Sequence, residues 1–98
     1  MKMKTKYYAI ESLAQVVSDK IIEIEIPDDN LTNMKESLKR KVNDLIDSRL
    51  NELEAKAIKG DSDSIVRHNL IVLNRKNIFN KLFENYAAIL EAVVMYNT

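Results

Sequence analysis

One glycine, Gly60, and one proline, Pro27, in 98 residues leave this chain very few places to turn. Tight turns draw on both residue types, because glycine reaches positive φ without strain and proline presets its own φ. An all-β domain of this length needs more turns than that, so the sequence predicts an all-α fold. The two punctuation points are Pro27-Asp28-Asp29-Asn30 and Gly60-Asp61-Ser62-Asp63-Ser64, and they cut the chain into three segments. With 46% hydrophobic residues and fifteen acidic side chains against fifteen basic ones, the composition is that of a single folded domain over residues 1–98 rather than of a disordered chain.

The first segment predicts a helix over about residues 5–26. Ile10, Leu13, Ala14, Val17, Ile21 and Ile24 recur at helical spacing, and Thr5 stands where a cap belongs. Residues 21–26 carry a second pattern as well, since Ile22, Ile24 and Ile26 alternate with Glu23 and Glu25 as in a strand. A lone strand needs an edge, and no second strand stands out elsewhere. Helix is therefore preferred there, and an extended arm that pairs with another subunit or protein is the alternative.

The second segment reads as an amphipathic helix over about residues 31–59. Leu31, Met34, Leu38, Val42, Leu45, Ile46, Leu50 and Leu53 follow one another in steps of mostly three and four. Asp29 or Asn30 supplies its cap, and Gly60 follows its end in the position that favours a left-handed residue. The third segment predicts a helix over about residues 62–96, capped by Asp61, Ser62 or Ser64. Ile65, Val72, Phe79, Tyr86 and Val93 repeat every seven residues. Asn69 and Lys76 hold the companion position early on, and Phe83 and Leu90 hold it later.

The short link at Gly60 makes these two helices an antiparallel hairpin, with Leu45 near Asn77, Leu53 near Asn69 and Leu38 near Glu84. The expected fold is thus an N-terminal helix followed by a long antiparallel helical hairpin. Two helices alone do not hide apolar residues on several faces, so the bundle is expected to be completed by oligomerisation. The candidate interface is Leu45, Ile46, Leu50, Leu53, Leu70, Leu73, Tyr86, Leu90, Val93 and Val94.

Composition excludes much chemistry. Without cysteine there is no disulfide, thiolate metal site or thiol nucleophile, and with one histidine, His68, there is no two-histidine metal site. A single glycine excludes a phosphate-cradling glycine loop. Asp61-Ser62-Asp63-Ser64 opens like a calcium loop, but it lacks the central glycine and places Val72 at the twelfth position. Arg67 and His68 are adjacent and diverge on a helix. No residue set offers acid, base and nucleophile together, so no enzyme activity, catalytic residue, metal or cofactor is expected. No stretch approaches the roughly 20 apolar residues that span a bilayer. The start, Met1-Lys2-Met3-Lys4-Thr5-Lys6, is charged like the front of a signal peptide but leads into no cleavable apolar run, so the expected location is cytoplasmic.

Charge is segregated along the chain. No acidic residue lies between Asp63 and Glu84, and residues 19–29 hold Asp19, Glu23, Glu25, Asp28 and Asp29 against Lys20 alone. The leading functional expectation is a small helical interaction protein that binds itself and a partner protein's surface. The second is an oligomer that binds a nucleotide, a phosphate ligand or nucleic acid. For that, Arg40, Lys41, Arg75, Lys76 and Lys81 would meet the phosphates, with Tyr7 or Tyr8 stacking on a base.

Overall fold

The computed structural model describes residues 1–10, 12 and 15–96, and the side chains among them except at 15–19. Its elements run β1 (Lys2–Ala9), β2 (Gln15–Glu25), α1 (Leu31–Ile58) and α2 (Ser62–Tyr96). The molecule is elongated, about 51 Å in its long dimension.

The two long helices match their expected spans closely, and the reasons are local. Asn30 caps α1, its side chain accepting a hydrogen bond from the Asn33 amide at 2.9 Å. Gly60 leaves the helix at φ 98°, a backbone state that costs glycine little. The Gly60 amide donates to the Ala57 carbonyl at 3.0 Å and that of Asp61 to the Lys56 carbonyl at 3.2 Å, which satisfies two carbonyls in the last turn of α1. Asp61 then caps α2, accepting from the Asp63 amide at 3.2 Å and from the Ser64 hydroxyl at 2.9 Å. The Ser64 hydrogen bond also holds the Asp61 carboxyl below its ordinary pKa.

The hairpin is antiparallel. Arg75 meets Asp47 across the seam at 2.7 Å, Lys35 pairs with Glu91, and the Lys39 ammonium lies 5.7 Å from the centre of the Phe83 ring. Leu38, Val42, Ile46 and Leu53 from α1 and Ile71, Ile78, Leu82 and Leu90 from α2 are fully buried between the helices. These exposed or half-exposed ion pairs fix register and add little stability, whereas each buried aliphatic is worth about 1.5–3 kcal/mol.

The N-terminal third corrects the all-α expectation. β1 and β2 form a two-stranded antiparallel sheet where a helix was expected over 5–26, and so the fold is not a leading helix followed by a hairpin. Lys2 lies opposite Glu25, Met3 opposite Ile24, Lys4 opposite Glu23 and Thr5 opposite Ile22. One face carries Lys2, Lys4, Glu23 and Glu25 outward. The other buries Met3, Thr5 and Ile24, with Ile26 just beyond the strand.

Three physical reasons favour strand. The alternation of Lys with Met and Thr in residues 2–6 has a period of two, and so does Ile22-Glu23-Ile24-Glu25-Ile26. Ile22, Ile24 and Ile26 are β-branched and Tyr7 and Tyr8 are aromatic, residue types that fit a pleated sheet better than a helix. Cross-strand pairs of opposite charge add further support, with Lys2 at 3.8 Å from Glu23. The missing second strand is thus the chain's own start. Of the apolar series that suggested a helix, Leu13 and Ala14 lie outside the described residues, as does the side chain of Val17. The N-terminus closes the sheet, the Met1 amino group donating to the Ile26 carbonyl and pairing with Asp28 at 2.9 Å.

A two-stranded sheet is not stable alone, so it must borrow burial from the helices. It lies on the half of the hairpin that carries Leu82, Tyr86 and Leu90, and Tyr8 meets Tyr86 edge to face at 5.5 Å. Ile46→Ala, at the centre of the seam and fully buried, should lower unfolding free energy by roughly 2–5 kcal/mol in chemical denaturation. Exposed Ile21→Ala should change it by less than about 1 kcal/mol.

Candidate functional site

The sheet covers one half of the hairpin, and the other half shows its side chains to solvent. Ser64, Ile71 and Ile78 are buried and lie seven residues apart, so one face of α2 is committed to α1. The first three turns of α2 are apolar on other sides too. Val66, Leu70 and Leu73 follow one another by four and three residues and form one stripe, while Ile65 and Val72 form a second beside it. Their exposures run from 47% for Ile65 and Leu70 to 81% for Leu73, and Ile58 at the tip of α1 is 80% exposed. Further along, the first stripe turns polar, with Asn77, Asn80 and Glu84 all exposed. A shallow groove on this half is lined by Glu54, Ala57, Ile65, His68 and Asn69.

The ten residues read as a candidate interface divide into three groups. Ile46, Leu53, Tyr86 and Leu90 belong to the chain's own core, since the helical seam and the sheet already bury them. Leu45, Leu50, Val93 and Val94 are half-buried. Leu70 and Leu73 face solvent. Spacing identifies the apolar positions, but it does not say which of two apolar faces the neighbouring helix takes. Ile65, Val66 and Val72 complete the exposed patch. Their adjacency to Leu70 and Leu73 on the helix surface was the available signal.

The basic residues are not drawn into one patch. Arg75 is engaged by Asp47. Arg40 and Lys41 border a groove that also holds Glu25 and Asp44. Lys76 and Lys81 are both exposed on α2, but five residues of helix turn them about 140° apart. Tyr7 and Tyr8 are half-buried between sheet and helices. The Lys20 ammonium lies 5.8 Å from the Tyr7 ring centre, and Tyr8 packs on Tyr86.

A further concavity lies where the sheet meets the hairpin. Tyr7, Tyr8, Ile22, Leu45, Leu82 and Tyr86 wall a cleft of about 180 Å³, and Ser48, Arg49 and Glu52 from α1 also line it. Arg49 meets Glu52 at 2.9 Å and holds that carboxyl below its usual range. Tyr86 is 1% exposed. Burial, reinforced by the phenols of Tyr8 and Tyr7, pushes its pKa up to about 12 from the ordinary 10.0.

Among the described residues no cluster of three or more His, Asp or Glu could hold a metal ion, and no helix is long and apolar enough to cross a membrane. No known protein family, curated protein or solved structure matches the chain.

The Tyr86 shift has a defined consequence for stability. The folded state keeps this proton where the unfolded chain releases it, so its contribution is complete below pH 10 and is lost as pH rises toward 12. Tyr86→Phe should therefore flatten the fall of unfolding free energy over that interval, as measured by chemical denaturation at successive pH values. A slope unchanged by the substitution would count against a buried phenol.

Proposed function

We propose that this is a non-enzymatic interaction protein that works as an oligomer, joining copies of itself through the sheet-free half of the helical hairpin. The observation that carries the reading is the cluster of Ile65, Val66, Leu70, Val72 and Leu73, contiguous on α2 and 47–81% exposed. Contiguous apolar surface on an otherwise polar protein marks an interface more often than it marks an ordinary solvated face. An outward stripe spaced by four and three residues suits packing against another helix.

Magnitudes fit a concentration-dependent assembly. Moving an aliphatic side chain from full exposure to burial is worth about 1.5–3 kcal/mol, so five such partly exposed residues from each of two copies supply on the order of 10 kcal/mol. Association costs about 4–15 kcal/mol, so the surplus corresponds to a modest affinity. A two-fold arrangement with antiparallel α2 helices sets the apolar turns against each other. It also sets Asn77 opposite the polar start of the neighbouring α2. A partner protein's amphipathic helix would use the same surface. The phosphate-binding alternative has less support, because Arg75 is engaged by Asp47 and Arg40 and Lys41 share their groove with Glu25 and Asp44.

Size-exclusion chromatography with light scattering at tens of micromolar should return a multiple of the 11.3 kDa chain mass. Leu70→Lys combined with Leu73→Lys should return a monomer with an unchanged circular dichroism spectrum, because both side chains face solvent. A wild-type monomer at that concentration, or a double variant still fully assembled, would reject the reading.

A further inference from the structure

We propose that the cleft between sheet and hairpin is a binding site for a small single-ring aromatic alcohol, held between tyrosine rings and hydrogen-bonded to the Tyr86 hydroxyl. Size comes first. The cleft measures about 180 Å³, and a protein cavity of about 150 Å³ lined by apolar side chains accepts benzene. That volume matches one ring with a short substituent.

The walls select what that ring meets. Tyr7, Tyr8 and Tyr86 contribute aromatic rings, and Ile22, Leu45 and Leu82 contribute aliphatic surface. Tyr8 and Tyr86 already stand edge to face, 84° apart in plane, the relation that aromatic rings favour. A flat aromatic guest extends this arrangement more readily than a branched aliphatic one.

The polar requirement comes from Tyr86. Its side chain is 99% removed from solvent, and among the described residues its hydroxyl takes part in no hydrogen bond. Yet no side-chain oxygen or nitrogen among those residues is both sealed from solvent and without a partner. Tyr86 lines the cleft together with Tyr7 and Tyr8, so its hydroxyl is the polar group we assign to a guest there. Buried tyrosine hydroxyls ordinarily find a partner, and one that faces an apolar cleft is satisfied by whatever fills it. Arg49 and Glu52 neutralise each other beside the cleft, so the site favours an uncharged hydroxyl over a carboxylate or phosphate.

The proposal is independent of self-association, because the cleft lies on the sheet-covered half. Its test is a titration of phenol into the full chain, followed by amide and tyrosine-ring NMR. Saturable shifts should cluster at Leu45, Ser48, Arg49 and Tyr86, with a dissociation constant on the order of 1 mM or tighter. Tyr86→Phe should weaken binding about fivefold, the usual scale of one neutral hydrogen bond. Ser48→Trp places a large ring on an exposed helix position beside the cleft, so it should abolish binding without unfolding the chain. Benzoate should bind more weakly than phenol. Shifts that never saturate would overturn the proposal and leave the cleft to ordered water. So would an affinity that is the same in wild type, Tyr86→Phe and Ser48→Trp.

Discussion

Two helices packed as a hairpin bury one face of each and no more, and everything else in this molecule follows from how the remaining apolar surface is treated. The seam of Leu38, Val42, Ile46 and Leu53 against Ile71, Ile78, Leu82 and Leu90 is fully closed. Around Tyr86 and Leu90 the surplus is covered by β1 and β2, a pair of strands that gains its stability from that contact. Around Val66 and Leu73 no described residue supplies a cover. The same helix is thus a core element at one end and an exposed apolar surface at the other.

Where sequence signals were redundant, structure was legible. Periodicity, a capping Asn30, a terminal Gly60 and a capping Asp61 agree on the limits of α1 and α2; Asn30 and Asp61 act through side-chain oxygens that accept from nearby amides, and Gly60 through its own backbone amide. In the N-terminal third two periods compete, and the strand alternative at residues 21–26 is the one the fold adopts through Glu25, paired with β1 rather than with another chain. Ile10, Ile21 and Ile24 fit a helical spacing by coincidence. The alternation of Lys2-Met3-Lys4-Thr5-Lys6 is short and flanked by no glycine or proline to announce a hairpin. β1 and β2 recognise each other through non-local pairs such as Met3 with Ile24, and neither strand's own sequence records its partner.

The candidate surface was legible in part for a related reason. A stripe of leucines shows that a face will be buried, but not whether its cover comes from the same chain. Tyr86 and Leu90 lie under a sheet whose first strand no turn residue announces, so they belong to the core, while Leu70 and Leu73 lie beyond its reach. The tyrosine cleft has the same origin. It exists because Tyr7 and Tyr8 are brought over α1 and α2 by the strand, at the place where the register shifts between Lys6 and Tyr8. A helical N-terminus offers no equivalent.

The central claim is that the two halves of the hairpin differ in who covers them, and hydrogen exchange measured at several protein concentrations tests it most directly. If copies of the chain cover the sheet-free half, amides in residues 58–73 gain protection as concentration rises through the association range. Those near Leu82 and Leu90, already covered by the sheet, change far less. Protection in residues 58–73 that stays flat over the whole range, while the chain remains folded, would contradict it.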